Sequence, residues 1–314
     1  MPTPPPQPAR PKRLVLSLRC GRLANRMVLF ANFIAFAEEH GHRVINFTFH
    51  SYAEFFRTLS RDIYCSYPPP ARRSWMDVVP GVARGIRKTR IFYHLVRYTS
   101  LFNERHPPFG KRVVTLHEDD SQSVVPLEAP AVQEPIRGAR LVFVYGWRYR
   151  APELVRRHAE KIRAFFRPVE EHEQASAQAV GALRRNADVV VGVHIRRGDY
   201  QDWKDGHYFF ETARYAEWMR EMTGLFPGRR VAFLVCSNEP RRPDEFAGLT
   251  VGFGPGTAVG DLYALAGCDY IIGPLSSFTQ WASFYGNKPL FHLRDNEARI
   301  ERDQFHVSDL AEVP

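Results

Sequence analysis

Apolar positions along the chain follow two alternating patterns: short runs of aliphatic residues, and longer stretches in which every third or fourth residue is apolar. The clearest run is residues 189–193, within 188–195, where β-branched side chains are interrupted only by Gly192. Such a run predicts a strand buried on both faces, the kind found in parallel sheets. Further strands are expected over residues 14–18, 43–47, 112–116, 140–145, 231–235, 249–253, 270–272 and 290–293. Between them, residues 26–39 place Met27, Phe30, Ile34 and Ala37 at helical spacing, and Gly41 can end that helix in the left-handed conformation. Helices are also expected over 152–165, 169–183, 211–225, 261–266 and 276–285, the last with a serine as its cap.

Strands alternating with helices predict an α/β fold, and the pattern starts afresh near residue 188. We read a proline-rich disordered tail over 1–12, a Rossmann-like domain over 13–160, a second over 168–293, and a final segment, 294–314, that returns to the first domain. The boundary falls between 149 and 168. Residues 51–109 are less regular and are broken by prolines at 68–70, 80 and 107–108. Within them, 86–102 read as a basic amphipathic helix carrying Arg87, Lys88, Arg90 and Arg97 among Ile91, Phe92, Leu95 and Tyr98. Such a helix can lie on an anionic membrane, line an acceptor groove, or present a solvated face.

The chain has 314 residues, 44% of them hydrophobic, which suffices for two ordinary cores. Its net charge of +9 favours anionic partners without choosing among them. Zinc-ligand spacing, a recognition helix and RNA-binding aromatic motifs are all missing, so nucleic acid is not an expected partner. Cys20, Cys65, Cys236 and Cys268 are widely spaced and read as free thiols of a reducing compartment. The first residues lack the apolar core of a signal peptide, and no apolar run approaches the roughly twenty residues that span a bilayer. The expected location is the cytoplasm, with attachment to a membrane surface left open.

The chemistry concentrates where the run at 189–193 ends. His194-Ile195-Arg196-Arg197-Gly198-Asp199-Tyr200 follows at the carboxyl edge of the expected sheet, where open α/β folds bind ligands. Two arginines there can hold a diphosphate without a metal, since each offers a planar fork and a permanent charge. The structural alternative is an ion pair of Arg196 or Arg197 with Asp199. The turn Gly21-Arg22-Leu23-Ala24-Asn25-Arg26 opens a helix and reads either as a phosphate-facing or sugar-facing turn, through Gly21, Asn25 and Arg26, or as a plain strand-to-helix connection. No Gly-x-Gly-x-x-Gly follows the first strand, which disfavours a nicotinamide enzyme. No acidic pair stands at a strand end to hold a divalent ion, although Asp119-Asp120 occurs in a loop-like stretch, so no metal is expected.

The arginine motif resembles the first signature of the α-1,2-fucosyltransferases and their α-1,6 and protein-O-fucosyltransferase relatives. Cys236-Ser237-Asn238-Glu239 is similar to the second, and Ser276-Ser277-Phe278-Thr279-Gln280-Trp281-Ala282 to the third. The turn at Gly21 resembles the family's amino-terminal motif, with Ala24 where a glycine is usual. The resemblance implies a GT-B-like pair of Rossmann-like domains facing across a cleft, the first on the acceptor side and the second holding the donor. It implies an inverting, metal-independent transfer of fucose or a related sugar from a GDP-sugar to a glycan or lipid-linked oligosaccharide, with no cofactor beyond the donor. The implied donor-binding residues are His194, Arg196, Arg197, Asp199, Ser237, Asn238, Asp261, Ser276 and Ser277. Arg196 is expected to act on the β-phosphate. Asp202, Asp205 and Glu211 are candidates for the base that takes the acceptor's proton. A non-catalytic nucleotide-sugar or glycan-binding protein on the same fold is the alternative.

Overall fold

The computed structural model describes residues 11–71, 85–86, 89–106, 108–118 and 123–313. The chain divides into two compact units, residues 1–22 with 29–166, and residues 23–28 with 167–314. Residues 1–10 of the expected tail over 1–12, Arg87 and Lys88 of the 86–102 stretch, and Asp119-Asp120 lie outside the described residues.

In the first unit, β1 (Arg13–Leu16), β2 (Arg43–Ile45), β3 (Ser66–Tyr67), β4 (Val113–His117) and β6 (Leu141–Tyr145) form a five-stranded sheet in the order β3-β2-β1-β6-β4. All neighbours run parallel except β3, which is antiparallel to β2. A small parallel pair joins β5 (Val125–Pro126) to β7 (Tyr149–Arg150). The helix Leu23–His40 supplies much of the core. Its buried Phe30 meets Phe49, Phe165 and Phe166 edge-on, an arrangement aromatic rings favour. Gly41 ends this helix at φ 63, as its spacing predicts.

In the second unit, β8 (Val189–Ile195), β9 (Val231–Ser237), β10 (Thr250–Phe253), β11 (Tyr270–Pro274) and β12 (Leu290–Leu293) make an all-parallel sheet in the order β10-β9-β8-β11-β12. The chain leaves β8 on one side for β9 and β10, then returns to the other side for β11 and β12. The reversal between β8 and β11 is a topological switch point, where ligands of open α/β sheets bind at the carboxyl ends of the strands. Every residue of β8 is buried, as its β-branched run predicts. Gly192 interrupts that run for a packing reason: a Cβ there would stand 2.8 Å from Leu265 on the helix Ala258–Ala266.

The α/β class with two Rossmann-like sheets agrees with the sequence reading, and several element bounds do not. The first helix begins at Leu23, ahead of the expected 26. The second strand stops at Ile45, and Phe47–Phe49 turn into a 3-10 helix that buries both phenylalanines. The expected helix at 152–165 is two, Pro152–Arg157 and Ala159–Phe165, parted at His158. The amphipathic helix runs Ile91–Arg105, later than 86–102. Asp188 lies outside β8 and pairs with Arg230 at 2.9 Å. The final segment stays in the second unit, where Leu290 and His306 form a bridge. Cys65, Cys236 and Cys268 are buried free thiols and Cys20 is half-buried.

Candidate active site

The carboxyl ends of β8, β9, β10 and β11 carry most of the residues singled out from the sequence. His194 is the last polar residue inside β8 and stacks on Phe278, ring centres 4.7 Å apart. Burial, and secondarily the charge of Arg196, pushes its pKa down to about 3. The ring is therefore neutral at ordinary pH, and its Nδ1 has no hydrogen-bond partner among the described residues.

The two arginines that follow do different things. Arg196 brings one guanidinium nitrogen to both carboxylate oxygens of Asp199, at 2.6 and 2.8 Å, and its fork stands 5.4 Å from the Tyr200 ring centre. The Tyr200 hydroxyl donates to the Leu275 carbonyl at 3.2 Å, tying this loop to the end of β11. Arg197 is built into the scaffold. Its backbone N–H donates to Asn238 Oδ1 at 2.8 Å, and Asn238 Nδ2 returns a bond to its carbonyl at 3.2 Å. Its guanidinium donates to the Phe210 carbonyl, faces Glu211 at 3.3 Å and Glu239 at 3.7 Å, and lies 3.9 Å above the Phe209 ring. Gly198, which follows them, takes φ 63, and a Cβ there would stand 3.1 Å from Asn238 Nδ2.

Asp199 is thus Arg196's partner, and Glu211 is Arg197's. Glu211 is also the cap position of the helix Thr212–Gly224. Asp202 and Asp205 lie on the 3-10 turn that follows the arginine motif, both solvent-exposed, with Asp205 at φ 56. Tyr208 and Phe210 are buried below this loop.

At the end of β9, Ser237 Oγ accepts from the Glu239 N–H at 3.2 Å. Cys236 points its thiol at the Asp261 carbonyl, 3.7 Å away. Asp261 itself is buried in the first turn of its helix and accepts from the Gly256 N–H at 2.8 Å. Burial raises its pKa to about 6, because one backbone donor does not replace the water a carboxylate loses.

Past β11, Ser276 caps the helix Ser277–Gly286 by accepting from the Thr279 N–H at 3.2 Å. The cap leaves the first amides of the helix, those of Ser277 and Phe278, at its positive end. Ser277 donates to Asn25 Oδ1, so the turn opening the first helix reaches the third motif. Of that turn's other residues, Gly21 adopts φ 55 and Arg26 is buried. Glu239 and Phe278 stand inside the second and third motifs but were not among the expected donor-binding residues; their places in those motifs are the signal that could have found them.

No group of three or more His, Cys, Asp or Glu poised to hold a metal ion occurs among the described residues. What the arrangement offers is an arginine fork at the end of β8 and a helix N-terminus with two serines at the end of β11, on either side of the switch point. A neutral histidine and a buried carboxyl flank them. This is the equipment of an α/β protein that binds an anionic nucleotide.

Residues 158–298, just under half of the chain, match the model of glycosyl transferase family 11. That segment is a family 11 domain, and the chain that carries it is a glycosyltransferase. No match was found among curated proteins. Among solved structures, a FUT1 mutant of Arabidopsis thaliana in complex with GDP is similar over 96% of this chain and 74% of that one, with 14% identity and a TM-score of 0.57. The fucosyltransferase NodZ from Bradyrhizobium is similar over 91% of this chain and 97% of that one, with 18% identity and a TM-score of 0.49. POFUT1 in complex with GDP is similar over 90% and 96%, with 11% identity and a TM-score of 0.49.

Proposed function

We propose that this chain transfers fucose, or a related sugar, from a GDP-sugar to a hydroxyl of a glycan or lipid-linked oligosaccharide, with inversion and without a metal. The observation that carries the reading is the placement of Arg196 and the Ser276-Ser277 helix start on the two strands that flank the switch point. Negative charge grows on the leaving diphosphate as the glycosidic bond breaks, and fixed donors aimed at that charge lower the barrier. Arg196 meets the phosphates with the part of its fork not taken by Asp199. The helix amides and the Ser276 hydroxyl meet them from the other side. His194 and Asp261 offer a neutral ring nitrogen and a carboxyl acceptor to the rest of the nucleotide.

Asp202 and Asp205 are the better candidates for the base, since both face solvent, where an acceptor hydroxyl can arrive. Glu211 is already engaged with Arg197. A ligand that binds only the folded state raises the melting temperature. GDP and GDP-fucose are therefore expected to stabilise the protein, while UDP-sugars and NAD leave it unchanged. Stabilisation by UDP-sugars with no effect of GDP would remove this reading.

A further inference from the structure

The helix Ile91–Arg105 in the first unit shows solvent a more apolar face than part of the face it packs. Inward it turns Tyr93, Ser100 and Asn103, all buried. Ser17 donates to the Ser100 hydroxyl at 3.2 Å, Thr115 donates to the Ser100 carbonyl at 3.1 Å, and Asn103 Nδ2 donates to the Val113 carbonyl at 3.2 Å. Outward it turns Ile91, Leu95, Tyr98 and Phe102, which are 60%, 61%, 67% and 58% exposed. At 100° per residue these four fall within roughly 60° of the helix circumference, one continuous stripe. Single exposed apolar residues need no explanation, but a stripe marks a surface that is covered in use.

Charge identifies what covers it. Arg105 and His94 lie on the same side of the helix wheel as the stripe, and Arg90 sits at its N-terminal end. Lys111 and Arg112 are exposed in the next turn, beside Phe109, itself 67% exposed. The helix's one carboxylate, Glu104, lies on the far side of the wheel and pairs with His117. We propose that this face docks the protein on an anionic lipid bilayer, the stripe entering the interface while Arg90, Arg105, Lys111 and Arg112 meet headgroup phosphates. An apolar stripe bordered by cations is the pattern of helices that lie in the membrane interface. A second copy of the chain fits less well, because pairing the stripe with itself would bring its bordering cations together, the helix's one carboxylate lying on the far side of the wheel. No helix among the described residues is long and apolar enough to cross a membrane; what is proposed is attachment to a surface.

The test is co-sedimentation of the full chain with vesicles of phosphatidylcholine alone and of phosphatidylcholine mixed with phosphatidylglycerol, without nucleotide. Binding is expected to the mixed vesicles, to weaken with salt, and to fall about tenfold or more in Leu95→Asp/Phe102→Asp. That variant should keep its melting temperature, since both side chains already face water. Should it melt lower, Arg105→Glu/Arg112→Glu decides instead, and the same loss on the mixed vesicles is expected. The proposal is overturned by equal binding to both kinds of vesicle, or by no binding to either. It also fails if both folded variants bind like wild type, or if wild type forms a dimer that Leu95→Asp/Phe102→Asp disperses. None of these outcomes depends on the donor, so the result stands apart from the proposed reaction.

Discussion

Both carboxylate oxygens of Asp199 close on a single guanidinium nitrogen of Arg196, at 2.6 and 2.8 Å. Asp199 thus approaches the fork from one side, at the carboxyl end of a strand next to the switch point. Its carboxylate is about half exposed, whereas the Arg196 side chain is 17% exposed. An arginine fixed in this way is oriented before any ligand arrives, which is the preorganisation that stabilisation of a leaving group requires.

The first prediction concerns metal. On the proposed mechanism, Arg196 and the helix start at Ser277 bring the positive charge that a divalent ion could otherwise bring to a diphosphate. Activity is expected to survive excess chelator within a few-fold of the untreated rate. Complete loss, restored by magnesium or manganese, would show that a carboxylate site outside this arrangement takes part.

Asp261 gives a pH prediction. Its carboxyl is raised from 3.8 in the unfolded chain to about 6 in the fold. The stability it contributes is therefore fully present below pH 3.8 and is lost as pH rises through 6, by up to about 3 kcal/mol. Relative to Asp261→Asn, which keeps an acceptor for the Gly256 N–H, wild type should lose stability between pH 4 and 7. Parallel unfolding free energies for the two proteins across that range would contradict the assignment. If nucleotide N–H donors meet this carboxylate, GDP binds its ionised form better, and GDP affinity should rise more steeply from pH 5 to 7 in wild type than in Asp261→Asn.

Asn238 clasps both the N–H and the carbonyl of Arg197. Asn238→Ala removes two hydrogen bonds, each worth about 0.5–1.5 kcal/mol net, and loosens the loop that also carries Arg196. A lower urea midpoint is expected, together with a fall in turnover larger than the loss of folded protein explains. A destabilised variant with full activity per folded molecule would leave Asn238 a purely structural residue.

Much of the second unit was legible because its signals are local. Residues 189–193 could be read as a buried strand from their β-branched run, and Ser276 as a cap from its place before a helical pattern. Gly41 was equally plain, since a left-handed helix end favours glycine. Other features depend on partners far along the chain. The Ser277–Asn25 hydrogen bond joins residues 252 apart, and Phe278 reaches His194 only once β8 and β11 lie side by side. That Arg197 is held by Asn238 and Glu239 follows from the β8–β9 register, which no local pattern states. The break at His158 was hidden because neither Gly nor Pro marks it. The two-residue strands are too short for a periodicity.

The central claim, that Arg196 stabilises charge developing on the leaving diphosphate, is tested most directly by the single-turnover rate and melting temperature of Arg196→Ala, measured on one preparation beside Arg196→Lys and Asp199→Asn. Loss of a preorganised donor typically costs about 10² to 10³ in rate. Arg196→Ala is expected to lose at least that much turnover, with a much smaller fall in donor affinity. Arg196→Lys should recover only part, because an ammonium keeps the charge without the planar fork. If Arg196→Ala melts lower yet turns donor over like wild type, Arg196 is only the partner of Asp199 at a strand end, and the account is wrong.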